Sequence, residues 1–337
     1  MNNLFHKLLI LRSPGVGPVG YAKLIQRFGS VEAAAESLAV DSALVDSVRR
    51  EMDLADQLGA VYLSDDMPEY PKSLFDMKNH PPVISVRGNI KTLARPTVGI
   101  VGTRHASGAG MRFTSDLARE FAAHGYVVVS GMAMGTDTAA HRGALAADGD
   151  ANTIAVLAGG VDYIWPLENE RLYHYICERG CIVSDMPVGS TPVKNNFAQR
   201  NRIVAGISEK LILGEADLKS GSMITARFML DLSRPVFAIP GHPSDPRGAG
   251  ANRLIQNGDA KLCAGASDFF GKDEKPVQES SPKYLENDLV DLLSNVPMSD
   301  SVLASLAKKS VDDVRRQLIV LELDGLARKT NAGYVKS

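Results

Sequence analysis

Five short loops gather glycine, hydroxyl, amide and guanidinium groups, the chemistry that holds anions. The first is Gly102-Thr103-Arg104-His105-Ala106-Ser107-Gly108-Ala109-Gly110, a strand-to-helix turn. Its glycines let backbone N–H groups approach an anion at a helix N-terminus, and Arg104 adds a charge-assisted bond. The dinucleotide spacing G-x-G-x-x-G is absent, and Ser130-Gly131 stands where a ribose-binding acid belongs. The second loop runs from Ser130 to Asp137, with His141 one helical turn on. No nucleophile accompanies that Asp–His pair, so capping of a helix by Asp137 is the simpler role. The third, Phe197-Ala198-Gln199-Arg200-Asn201-Arg202, sets two arginines around an asparagine beside a ring. Guanidinium groups suit phosphates and Phe197 offers a base a stacking face; a solvated arginine face is the structural alternative. The fourth, Leu218-Lys219-Ser220-Gly221-Ser222-Met223-Ile224-Thr225, opens a helix with a lysine and three hydroxyls and lacks the Walker A order. The fifth runs from Pro240-Gly241-His242 to Asn252, with Arg247 and Arg253.

What must position these loops is legible in the apolar pattern. From Thr97 onward, short Val- and Ile-rich runs alternate with amphipathic stretches: strands at Val98, Tyr126, Thr153, Cys181, Lys210 and Pro235, helices between them. Near-continuous apolar strands alternating with helices predict a mostly parallel sheet covered on both faces, an extended Rossmann-like α/β domain. In such sheets ligands bind beyond the carboxyl ends of the strands, where all five loops fall. Residues 1–65 read as a small helical domain, from Leu4, Leu8, Leu11 and again Leu44, Val45, Val48, Met52 at helical spacing. The stretch 271–284 is polar and reads as a linker. Residues 285–337 read as three short helices and a hairpin around Asn331-Ala-Gly333, the pattern of a winged helix, leaving 66–270 as the central domain.

Composition sets bounds on function. The chain has 337 residues, 45% hydrophobic and 23% charged, ordinary for a soluble globular protein. Three cysteines, Cys177, Cys181 and Cys263, are too few for a disulfide framework and too poor in nearby His for zinc. Buried free thiols in a reducing cytoplasm are expected, with no membrane span, metal or cofactor. The net charge of −2 does not announce nucleic acid. Between Val193 and Lys261, however, ten Lys or Arg face six Asp or Glu, a local excess of four positive charges. A patch of this kind is what phosphate binding needs.

The ordered series Val98-Gly-Ile-Val-Gly-Thr-Arg104, Ser130-Gly-Met-Ala-Met-Gly-Thr-Asp137, Arg200-Asn-Arg-Ile-Val-Ala-Gly206, Ser220-Gly-Ser-Met-Ile-Thr-Ala226, Ile239-Pro-Gly241 and Gly250-Ala-Asn-Arg-Leu-Ile255 closely resembles the DprA/Smf family. Tyr70-Pro-x-x-Leu74 and Pro81-Pro82…Gly88 are similar to that family's entry segment. Pro14-Gly-Val-Gly17 is similar to its sterile-alpha-motif or helix-hairpin-helix-like N-terminal domain. The chain departs from the pattern at Trp165-Pro166, at Ser184-Asp185, and at Phe197-Ala198-Gln199-Arg200, which is less basic than the family's version.

The resemblance implies a cytoplasmic homodimer without catalytic activity that binds single-stranded DNA in a basic pocket. It further implies loading of the RecA recombinase during natural transformation, with the single-strand-binding protein as a candidate further partner. By motif position, Arg104, Lys219, Arg200 and Arg202 are the phosphate contacts. Gly102, Thr103, Ser220, Gly221 and Ser222 are the donors, with Phe197 and Asn201 beside them. The main rival is a nucleotide-processing enzyme of the lysine-decarboxylase-like phosphoribohydrolase type. It needs a carboxylate where this chain has Lys219-Ser-Gly-Ser-Met-Ile-Thr-Ala226. An NAD(P) oxidoreductase lacks its fingerprint here. A duplex-DNA regulator would read with Val311–Leu323, which offers only Arg315 and Arg316 against Asp312, Asp313 and Glu322.

Overall fold

A computed structural model describes residues 2–38, 40–147, 149, 152–270, 288–294, 296–323 and 326–336. The chain opens with helices α1 (Asn2–Arg12), α2 (Pro18–Phe28), α3 (Val31–Glu36) and α4 (Ser42–Gln57). Pro18 starts α2 where its missing N–H costs nothing, and Gly29, at φ +81°, ends it in the left-handed conformation. The helical reading of residues 1–65 holds to Gln57. Residues Ala60–Ser64 instead form strand β1, buried except at Val61, with Tyr62 and Leu63 packed in the cores on opposite faces of the sheet.

After β1 come β2 (Val83–Gly88), β3 (Thr97–Val101), α5 (Gly108–Ala123), β4 (Val127–Ser130), α6 (Thr136–Ala146), β5 (Thr153–Val156) and α7 (Glu170–Arg179). The series continues with β6 (Cys181–Ser184), α8 (Lys194–Ile207), β7 (Lys210–Leu213), α9 (Ser222–Asp231), β8 (Val236–Ala238), α10 (Ala249–Asn257) and β9 (Lys261–Leu262). The nine strands form one sheet in the order β1-β2-β6-β5-β4-β3-β7-β8-β9. Pairings from β6 through to β9 are parallel, while β1 with β2 and β2 with β6 are antiparallel. The expected mostly parallel, doubly covered sheet is therefore present.

Alternation within each strand sends side chains to opposite faces. Val101, Val127, Val129, Ile154, Val156, Leu211 and Leu213 pack with Ile203, Val204, Met223 and Leu254, beneath α8, α9 and α10. Val98, Ile100, Val128 and Ile212 pack with Leu117, Phe121, Ala140 and Ala144, beneath α5 and α6. The N-terminal helices share the sheet's core: Leu8, Leu9, Val48 and Ala55 pack with Tyr62, Val83 and Ile182. Part-buried ion pairs reinforce that seam. Lys7 Nζ reaches Asp65 at 2.5 Å and Asp66 at 2.8 Å, and Arg12 forks onto Glu51.

Chain order fixes where a ligand can enter. Strands β3 to β6 are laid down in one direction, and β7 to β9 then continue from the other side of β3. The switch point lies between β3 and β7, where the two following loops diverge and leave a crevice.

The C-terminal part contains α11 (Asp288–Leu292), α12 (Asp300–Ala307), α13 (Val311–Leu323) and the antiparallel hairpin of β10 (Ala327–Thr330) and β11 (Gly333–Lys336). Leu289, Leu303, Leu318 and Tyr334 give it a core of its own. It rests on the central domain through Arg179 and Asp312, 2.9 Å apart. The expected linker 271–284 lies outside the described residues. Cys181 and Cys263 are buried free thiols, whereas Cys177 is half-buried. Among the described residues no helix is long and apolar enough to cross a membrane.

Candidate nucleic-acid interface

The β3 and β7 loops meet at the switch point, and an acid from the chain itself fills the anion position between them. Glu215, two residues past β7, accepts from the Ser107 backbone N–H and from the Ser107 hydroxyl, both at 2.6 Å. Ser107 in turn caps α5 by accepting from Gly110 N–H at 2.9 Å. Gly110 is glycine because an added Cβ would lie 2.7 Å from the Glu215 carboxyl carbon. The helix N-terminus expected to cradle phosphate carries an internal carboxylate cap in this structure. Gly102 and Thr103 serve the same scaffold. Thr103 N–H donates to the Glu215 carbonyl at 2.6 Å, its own carbonyl accepts from Thr136 N–H at 3.2 Å, and Gly102 packs on Thr136.

Arg200 also takes a different role from the one its motif suggests. It is 6% exposed. Its guanidinium donates to the carbonyls of Gly131 and Val156, at the ends of β4 and β5. Its Nε reaches Asn201 Oδ1 at 3.3 Å. Burial pushes its pKa down, and the charge of Asp137 offsets part of that. Asp137 is raised by burial, against the opposing charge of Arg200 and a bond from Ala133 N–H. Arg200 is a buried rivet joining α8 to the ends of β4 and β5. Arg202 is tied as well, to Asp185 at 2.5 Å and to the Asn79 carbonyl at 2.9 Å. Neither arginine is a free phosphate contact.

What the sheet edge presents to solvent is a cation on an aromatic pair. Arg104 is exposed, with its guanidinium carbon 4.9 Å from the Trp165 ring centre and 5.6 Å from that of Phe197. The two rings meet edge to face at 4.7 Å. Trp165 escaped the sequence reading as a site residue, although its place in the loop after β5 is a carboxyl-edge position. Lys194 escaped it too. As the first residue of α8 it lies one turn before Phe197, exposed on the same side of the helix. Asn201 donates to the Gly221 carbonyl at 3.1 Å, which ties α8 to the loop carrying Lys219. Lys219 and Gly221 are exposed; Ser220 bonds Ser222 at 2.8 Å, and Ser222 is buried. Around this group stand four exposed apolar side chains on carboxyl-edge loops: Met134 at 42%, Leu167 at 74%, Val193 at 60% and Leu218 at 50%.

The β4 loop beneath is held under strain. Met132 sits at φ +66°, a conformation that costs a non-glycine residue on the order of 1 kcal/mol, and Asn169 fixes its carbonyl at 2.9 Å. His141 lies under the same loop, fully buried. The Thr153 hydroxyl donates to the Val128 carbonyl at 2.8 Å, so it accepts from His141 Nδ1 at 2.7 Å, and Nε2 is left without a partner. Burial, aided by the charge of Arg200, lowers this histidine to about 3. Its unfolded pKa is about 6.5. Because the folded value is the lower one, the unfolded chain binds the extra proton. Stability is complete above about pH 6.5 and falls as pH drops from there toward 3, by about 1.4 kcal/mol per unit. Urea titrations between pH 7 and 5 check this. The His141→Gln variant should lose that slope, and an unchanged pH dependence would exclude the assignment.

A family model described as DNA recombination-mediator protein A matches residues 61–272, and one described as DprA-like N-terminal HHH domain matches residues 2–50. A Synechocystis protein named Smf is 35% identical over 265 residues, covering 72% of this chain and 66% of its own length. The DNA processing protein DprA of Bacillus subtilis is 38% identical over 216 residues, 64% of this chain and 72% of its own. The X-ray structure of DNA processing protein A from Streptococcus pneumoniae aligns with a TM-score of 0.68 at 30% identity, covering 80% of this chain and 98% of that one. Helicobacter pylori DNA processing protein A, described for its single-stranded DNA binding mode, aligns with a TM-score of 0.57 at 33% identity, covering 62% and 93%.

Proposed function

We propose, on the ground that this chain belongs to the DNA recombination-mediator protein A family, that it binds single-stranded DNA at the carboxyl edge of its sheet. The observation that carries the reading is Arg104 stacked over Trp165 and Phe197, with exposed apolar side chains around it. Phosphates need a cation, and unpaired bases need flat or apolar faces. This edge offers both, and stacking is worth roughly 1–3 kcal/mol per base whatever the sequence. A duplex hides its base faces and would leave the rings idle. The Helicobacter pylori relative, whose description concerns single-stranded DNA, supports the same reading.

In this reading residues 66–270 are the binding unit, flanked by the domains 1–65 and 285–337 and joined to the latter by the linker 271–284. The protein acts as a homodimer in the cytoplasm, hands its strand to the RecA recombinase during natural transformation, and meets the single-strand-binding protein on that DNA. No catalytic step is assigned to it. The motif Lys219–Ala226 holds no carboxylate for a phosphoribohydrolase; of the two acids before it, Glu215 is engaged by Ser107 and Asp217 accepts from the Lys219 backbone N–H at 3.0 Å.

The test is a competition at stated salt among an oligo(dT) single strand, a duplex of equal length and free AMP. Single strands should bind at least tenfold tighter than duplex, with AMP neither competing nor releasing base. Equal affinity for duplex, or steady release of adenine, would reject the proposal.

A further inference from the structure

We infer that the segment from Tyr70 to His80 is a second contact for the same strand, a track that continues from the carboxyl-edge cluster along helix α8. The inference rests on the single-strand reading above. One stripe of α8 runs Asn195, Gln199, Arg202, Gly206, residues three or four apart that share one face, exposed at its first two members, half-buried at Arg202 and buried at Gly206. Its first two members are exposed beside Phe197. Its third, Arg202, donates to the Asn79 carbonyl at 2.9 Å. Its fourth, Gly206, lies so close to Met77 and Leu74 that a Cβ would overlap both. One stripe therefore connects the aromatic cluster to the 3₁₀ turn Lys72–Asp76.

With Leu74 and Met77 turned inward, that turn presents Lys72, Phe75 and Lys78 outward. Phe75 is 47% exposed and rests edge-on against His80 at 5.0 Å and tilted against Tyr70 at 5.4 Å. The intervening acid, Asp76, is paired with Arg234 at 2.5 Å. Asp76 stays 63% exposed with its charge offset by Arg234, and on either side of the supported ring stand two ammonium groups, the alternation that grips a single strand without reading its sequence. Lys72 also lines a groove of about 750 Å³ together with Glu69, Lys91, Arg95 and Glu209. Helix α8 has 14 residues. At about 1.5 Å each it is roughly 21 Å long, or about six stacked nucleotides at 3.4 Å per step.

Strand length is therefore the discriminating variable. The experiment measures fluorescence anisotropy of labelled oligo(dT) of 5 and 20 nucleotides on the full chain, at several salt concentrations. Phe75→Ala should weaken 20-mer binding about tenfold and leave the 5-mer unchanged, and Phe75→Trp should restore it. Lys72→Ala with Lys78→Ala should flatten the 20-mer salt slope by about 1.4, at about 0.7 per phosphate. Melting curves of the lysine variant and of Phe75→Trp should match the parent, and Phe75→Ala should melt only slightly earlier, through its lost contacts with Tyr70 and His80. If neither variant alters the 20-mer while Arg104→Ala weakens both lengths, the track is wrong and the carboxyl-edge site stands. If Phe75→Trp binds as poorly as Phe75→Ala, stacking is overturned. If the parent binds neither oligonucleotide, both readings fall.

Discussion

Replacing Arg104 and Lys219 together by alanine should abolish most single-strand binding, by roughly a thousandfold, with the fold intact. Both residues are exposed, and each leaves the sheet on a loop that borders the switch point between β3 and β7. A hydrogen bond to a charged group contributes about 1.5–3 kcal/mol. Each single variant should therefore lose roughly 10- to 150-fold, about equally for all sequences. The log–log salt slope should flatten by about 0.7 in each and about 1.4 in the pair. Arg104→Ala carries an extra loss, because the guanidinium also orders Trp165 and Phe197 through contacts of 4.9 and 5.6 Å. Arg104→Lys should recover the slope and only part of the affinity, since an ammonium keeps the charge and lacks the planar face. Thermal midpoints should move little, as exposed substitutions usually shift stability by about 0.5 kcal/mol or less. A double variant that keeps its salt slope would refute the phosphate role of both residues.

The scaffold of this site was far more legible in the sequence than the roles of its charged residues. Continuous apolar runs such as Val127–Ser130 and Cys181–Ser184 can only be buried on both faces, so the parallel sheet and its loop edge follow directly. Strand β1 was missed because residues 60–64 follow helix α4 after only two residues and pair with β2, far along the chain. The anion reading of the Gly102–Gly110 turn was sound electrostatics with the wrong occupant. Glu215 lies 108 residues from Ser107, and no local pattern places its carboxylate there. Arginine has the same difficulty in sharper form. In Arg200-Asn201-Arg202 one guanidinium points into the protein and one is paired, and helical spacing alone does not say which. Trp165 was hidden because its value lies in meeting Phe197 and Arg104 in space, from two separate loops and helix α8.

Arg200 is therefore expected to behave in the opposite way to Arg104. Its side chain is buried and joins three elements: the Gly131 carbonyl after β4, the Val156 carbonyl of β5, and the body of α8. The backbone of Gly131 sits against it so closely that a Cβ there would lie 2.5 Å from the guanidinium. Removing it leaves two buried carbonyls unsatisfied and the Asp137 carboxylate without its compensating charge. At about 1.5–3 kcal/mol for each hydrogen bond to a charged group, losing both costs about 3–5 kcal/mol. At about 2 °C per kcal/mol, Arg200→Ala should melt roughly 6–10 °C earlier. Arg200→Lys should rescue little, because a single ammonium cannot reproduce a fork onto two carbonyls. Changing Asp137 to Asn together with Arg200→Ala should cost less than the sum of the two single changes, since each alone strands the other's charge. At a temperature where Arg200→Ala is still folded, its salt slope for single strands should equal the parent's, because the residue meets no phosphate. A variant that melts like the parent and binds with a slope flatter by about 0.7 would place Arg200 on the DNA after all.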